Sequence, residues 1–179
     1  MLAAKKMPIS SQEFPDWELL QQERHEFIAG EIYAMAGASR SHEEVAGAAF
    51  VTLWNALFAT PCRVYKGDRK VKVLENYLYP DVVVTCDERD HQSEGAIEHP
   101  RAIIEVASPG ATASYDRDVK AQLYRSLPSL QEYVMIEPRT RRITLMLRRG
   151  DTWETVDLIN SSIIVCGIPL EPTRIFANL

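Results

Sequence analysis

Two short apolar runs, "YPDVVVTCD" (Tyr79 to Asp87) and "PRAIIEVASPG" (Pro100 to Gly110), each carry a carboxylate among branched neighbours. Both are brief and bounded by turn-forming residues, so each reads as a buried strand. Strand alternation sets Asp81 on the side of Val83 and Thr85, and Glu105 on the side of Ile103 and Ala107. A charge buried there without a partner costs on the order of several kcal/mol. If the strands are neighbours with these faces together, the acids converge. One must then take up a proton unless a dication neutralises both. Oxygen-only ligation suits Mg²⁺ or Mn²⁺. The alternatives are an internal ion pair between Glu105 and an arginine, and a turn or capping role for Asp81 after Tyr79 and Pro80. His25, His42, His91 and His99 are scattered, and no His/Cys spacing favours zinc.

The remaining pattern gives these strands a setting. "FPDWELLQQER" predicts a short helix with Pro15 in its first turn. In "HEFIAGEIYAMAG", Gly30 marks a turn between two short strands. "SHEEVAGAAFVTLWNALFATP" predicts a helix opened by a Ser41/Glu44 capping box and closed by Pro61. Val45, Ala49, Leu53 and Ala56 make its apolar stripe, widened by Phe50, Trp54 and Phe58. "CRVYKG" and "RKVKVL" predict partly exposed strands around the Gly67–Asp68 turn. "SYDRDVKAQLYRSLP" predicts a helix with Tyr115, Val119, Leu123 and Leu127 inward. Beside that stripe run Asp116, Lys120 and Tyr124, which read as a surface ion pair or as a lysine reaching the strand end. "QEYVMIEP" predicts a strand, "RRITLMLRRG" and "DTWETVDL" a hairpin, and "GIPLEPTRIFANL" irregular cover. The expectation is an α/β fold, a mixed sheet flanked by helices, in one domain over residues 1–179.

Bulk properties narrow the function. A net charge of −5 argues against coating nucleic acid by general electrostatics. Local basic runs remain: Arg139, Arg141, Arg142, Arg148 and Arg149 in the late hairpin, and Lys66, Arg69, Lys70 and Lys72 earlier. Cys62, Cys86 and Cys166 lack paired spacing, which predicts reduced thiols and a cytoplasmic protein. "MLAAKKMPIS" has no apolar stretch behind its lysines, so neither a signal peptide nor a membrane span is expected.

The order "ERHEFIAGEIYAMAGAS", "YPDVVVTCD", "PRAIIEVASPGATASYDRDVKAQLYRSLPSLQEYVMIE" resembles the Uma family of restriction endonucleases, within the PD-(D/E)XK nuclease superfamily. The likeness runs from about Glu23 to the end of the chain. It implies a restriction-endonuclease-like core, phosphodiester hydrolysis with a divalent metal, DNA as partner and a homodimer. Asp81 matches the acid of the "PD" element and Glu105 that of the (D/E)XK element. By the same resemblance, Glu31 in "GEIYAM" assists at the metal, through water, and Asp68 matches a recurrent acid; the Val106 carbonyl is expected to join Asp81 and Glu105 on the ion. One departure stands out: where the superfamily has a lysine two residues after the glutamate, this chain has Ala107. Lys120 is the candidate replacement, with Lys70 and Lys72 as rivals. His42, early in its helix, is either within reach of the site or a plain first-turn residue.

Overall fold

The computed structural model describes residues 9–35, 37–108 and 113–179, except the side chains of 113–117. The start of the chain, Pro109–Gly110, the inward side chain expected at Tyr115 and the Asp116 of the stripe beside it lie outside the described residues. Helix α1 (Phe14–Leu19) has Pro15 in its first turn. Strands β1 (His25–Ile28) and β2 (Glu31–Ala34) form a hairpin. Its two turn residues, Ala29 and Gly30, both have positive φ, 52° and 83°. That backbone matches the strand twist and is why glycine sits there.

Helix α2 (Arg40–Leu57) follows. Its cap is Ser39, whose Oγ accepts the His42 N–H, so the start falls two residues before the expected Ser41 box. Val45, Ala46, Ala49, Leu53 and Leu57 face inward, but Trp54 and Phe58 are 43% and 68% exposed and pack on each other. The helical stripe is therefore narrower than the sequence suggested.

Strands β3 (Arg63–Lys66), β4 (Val71–Val73), β5 (Asn76–Leu78), β6 (Val82–Thr85) and β7 (Pro100–Val106) come next, with a short helix α3 (Glu88–Gln92) before β7. Sequence reading missed β5 and α3. The Gly67–Asp68 turn does not join paired strands. It passes the chain from β3, which pairs with β6, to β4, which pairs with β5 in another sheet. Helix α4 (Ala113–Arg125) leads to β8 (Glu132–Glu137), then the hairpin β9 (Arg142–Arg149) and β10 (Thr152–Ile159). The C-terminal stretch is a small hairpin, β11 (Ile163–Val165) and β12 (Ile168–Leu170), and a helical turn α5 (Pro172–Ile175), rather than irregular cover.

The larger sheet has six strands in the order β10-β9-β8-β7-β6-β3, and β7 with β8 is its parallel pair. Alternation splits its side chains between two layers. Val82, Val84, Ala102, Ile104, Val106, Val134 and Ile136 meet α2 and the C-terminal elements. Val83, Ile103 and Tyr133 meet Ala121, Tyr124 and Leu127, together with Ile28, Val71, Val73 and Leu78 from the four-stranded sheet β2-β1-β5-β4. Among the described side chains of α4 the fully buried one is Tyr124, while Val119 and Leu123 are only partly covered. The helix is thus rolled so that the stripe holding Lys120 and Tyr124 faces inward. No described helix is long and apolar enough to cross a membrane.

The expectation of reduced thiols fails for one pair. Cys62 and Cys86 form a disulfide, with Cα atoms 4.0 Å apart. The register Arg63↔Thr85 brings the flanking cysteines face to face across β3 and β6. Their 24-residue separation in the chain hid this. Cys166 is free.

Candidate active site

Glu105 lies on the α4 face of β7, with Ile103, and Val82 pairs with Ile104 across β6. One further step of that antiparallel register sets Asp81 opposite Glu105. Asp81 closes the gap at the sheet end: its Oδ2 accepts the Val106 N–H at 2.7 Å. Its Oδ1 lies 3.1 Å from His42 Nε2, presented by the first turn of α2. His42 therefore reaches the site. Burial opposes its protonation, but the hydrogen bond and charge of Asp81, with Glu43 behind, raise its pKa above the ordinary value.

Among the described residues, no arginine meets Glu105. The charges acting on it are Lys120, Asp81 and Glu26, and its Oε1 is buried with no hydrogen-bond partner. Burial pushes its pKa up to about 8, and Asp81 and Glu26 add to the shift while Lys120 opposes it. The arginine alternative finds no partner among the described residues. Among them, what surrounds the carboxylate is more negative charge and one ammonium.

That ammonium is Lys120, and it is tied to Glu26 of the first hairpin. Lys120 Nζ donates to Glu26 Oε1 at 2.7 Å, and the same oxygen accepts the Tyr79 N–H at 3.0 Å. Burial would lower the Lys120 pKa, but Glu26, Glu105 and Asp81 hold it above the ordinary lysine range. Glu26 was not singled out from the sequence, since one acid in a four-residue strand carries no signal of its own. The register Glu26↔Tyr33 and Ile28↔Glu31 places Glu31 on the same hairpin face, opposite the residue two beyond Glu26. Glu31 accepts a hydrogen bond from the Tyr33 hydroxyl at 2.8 Å, so the hairpin acid that meets Lys120 is Glu26.

The rival lysines and basic runs are mostly committed elsewhere. Lys70 forms a 2.6 Å ion pair with buried Glu18, which also accepts the Tyr79 hydroxyl. Lys72 pairs in register with Tyr77 on the small sheet. Asp68 meets Arg24 at an exposed site. Lys66 meets Glu43, and Arg69 donates to the Ser93 and Glu94 carbonyls. Arg148 donates to the carbonyls of Leu130, Arg125 and Leu127 and stacks on Trp153. The register Val106↔Ile136↔Ile143 and Ala102↔Glu132↔Leu147 puts Arg148 and Arg149 at the far end of the sheet from Asp81. Arg139 and Arg142 lie at the near end, exposed.

Among the described residues, no three His, Cys, Asp or Glu side chains gather as a ligand set. The donors at the strand ends are of another kind: the carboxylates of Asp81 and Glu105 and the Val106 carbonyl. Magnesium is commonly held by one or two carboxylates and completes its shell with water and substrate phosphate. A buried carboxylate with an unpartnered oxygen, beside a second acid, fits such an ion.

A mixed sheet between helices, with its acids at the ends of adjacent central strands, defines a restriction-endonuclease-like core. A crystal structure titled as a putative nuclease belonging to DUF820, from Anabaena variabilis, has this fold: TM-score 0.72, 95% of this chain and 98% of that one, at 18% identity. The model of the Uma2 family, described as "Putative restriction endonuclease", matches residues 11–167, and the chain belongs to that family. Two relatives from Synechocystis sp. are named as uncharacterized proteins. One, slr1290, is 37% identical over 80% of this chain and 76% of its own length. The other, sll1609, is 30% identical over 90% and 94%.

Proposed function

We propose that this protein is a metal-dependent nuclease that hydrolyses phosphodiester bonds in DNA, using Mg²⁺ or Mn²⁺. The observation that carries the reading is Glu105, a buried carboxylate with an unpartnered oxygen, set beside Asp81. Asp81, Glu105 and the Val106 carbonyl would hold the ion, with Glu31 assisting through water. The dication, when bound, polarises the scissile phosphate and acidifies a water. The chain's own residues do the rest. His42 and the Val106 N–H fix the Asp81 carboxylate from two sides. Lys120, steadied by Glu26, offers a cation to the negative charge that builds on the phosphate oxygens, the task of the lysine missing at Ala107. Arg139 and Arg142, exposed at this end of the sheet, suit the phosphate backbone.

A homodimer and a cytoplasmic setting belong to this reading. Cytoplasmic thiols are normally reduced. The Cys62–Cys86 link lies at the end of β6 opposite Asp81, away from the site.

A second reading is favoured by Ala107 and by the engagement of Lys120 with Glu26. It is a nuclease-like fold without turnover that serves as a binding or assembly module. Cleavage of supercoiled plasmid with Mg²⁺ or Mn²⁺, alongside calorimetry with Mn²⁺, separates the two. The nuclease reading expects nicking that disappears in Asp81→Ala and Glu105→Gln. Equal cleavage by Asp81→Ala and wild type would end it, and metal uptake without cleavage would favour the module.

A further inference from the structure

We propose that Tyr124 is a positioning residue for Glu105, its buried hydroxyl being the donor that holds the carboxylate in its metal-ligating orientation. The inference rests on the metal-dependent reading above. Tyr124 stands one turn beyond Lys120 on α4, fully buried, with its ring 6.0 Å from that of Tyr133. It packs in the same cluster as Ile103, the residue two before Glu105 on the same strand face.

The Tyr124 hydroxyl and the Glu105 Oε1 are both buried, and neither has a hydrogen-bond partner. They are also neighbours: Tyr124 packs with Ile103 on the face of β7 that carries Glu105, and each of the two side chains shifts the other's protonation. One is a donor and the other an acceptor when ionised, so each can satisfy the other. A buried hydroxyl left unbonded lowers stability, and phenylalanine would fill the same space without that loss. Lys120 does not serve in its place: its ammonium donates to Glu26, and Glu105 Oε1 accepts no hydrogen bond from it. Ligating carboxylates generally depend on such outer hydrogen bonds for their orientation.

The test is calorimetric titration of the full chain with Mn²⁺, for wild type, Tyr124→Phe and Glu105→Gln, with thermal unfolding of each metal-free protein. Tyr124→Phe is expected to unfold at the wild-type temperature or above it, yet to bind Mn²⁺ about tenfold more weakly. Glu105→Gln is expected to lose binding. Wild-type affinity in Tyr124→Phe, with binding lost in Glu105→Gln, overturns the role of Tyr124 and leaves the metal reading intact. A Tyr124→Phe protein that unfolds well below wild type also overturns it, because the hydroxyl is then structural. No Mn²⁺ uptake by wild type sinks the metal reading and this inference together.

Discussion

Lys120 Nζ lies 2.7 Å from Glu26 Oε1, across 94 positions of sequence, and Glu26 is almost wholly buried. The pair pins α4 to the first hairpin, and the Tyr79 N–H on the same oxygen adds the link into β6. Removing one partner strands the other charge. Glu26→Gln or Lys120→Met is expected to cost about 3–5 kcal/mol in urea unfolding. The double variant should cost less than the sum. Additive losses would mean that the two groups do not depend on each other.

Glu105 links pH to stability. Its carboxyl is raised from 4.5 in the unfolded chain to about 8 in the metal-free fold. The folded state therefore keeps a proton that the unfolded chain gives up. The contribution is fully present below pH 4.5 and is lost as pH rises towards 8, with a span on the order of a few kcal/mol. Glu105→Gln carries no such proton. Its stability relative to wild type, read by denaturant melts, should climb between pH 5 and 8; a flat difference would contradict the burial argument.

Oxidised protein should show one reactive thiol after denaturation without reductant, that of Cys166. Opening the 24-residue loop between Cys62 and Cys86, by reduction or by Cys62→Ser with Cys86→Ser, is expected to cost about 3 kcal/mol. Counting thiols with a chromogenic disulfide reagent checks the first point and urea melts the second.

The arginines should divide by their position on the sheet. Arg148→Ala removes the donor to three carbonyls, at the end of α4 and in the loop after it, and the stack on Trp153, a loss of about 2–3 kcal/mol of stability. Arg142→Ala should leave the melt unchanged and lower the salt slope of DNA binding by about 1. Fluorescence anisotropy across a salt series reads the slope. A larger slope change for Arg149→Ala, at the opposite end of the sheet, would reverse the proposed contact surface.

Much of this architecture is legible in the pattern of residues. The Ala29–Gly30 turn, the α2 core stripe, the alternation in β6 and β7 and the late hairpin all follow from periodicities of two or 3.6. Periodicity says which residues share a face, but not how far a face is rolled. On α4 two stripes competed, and Tyr124 rather than Leu123 became the fully buried one. The choice was made by what lay opposite: Glu26 for Lys120, and Ile103 with Tyr133 for Tyr124. The three-residue strands β4, β5, β11 and β12 are too short to display a period, which is why β5 and the C-terminal hairpin escaped reading.

The sequence by itself determined that Glu105 would be buried, because its apolar neighbours leave the strand no solvent face. It also determined that Asp81 would stand at the start of the other apolar run. Only the tertiary structure decided which cation and which second acid would meet there. Glu26, Lys120 and His42 come from segments whose local patterns carry no information about one another. Their meeting depends on strand register and helix roll, which are settled by packing across the whole core. The Cys62–Cys86 bond was decided in the same way, by the pairing of β3 with β6.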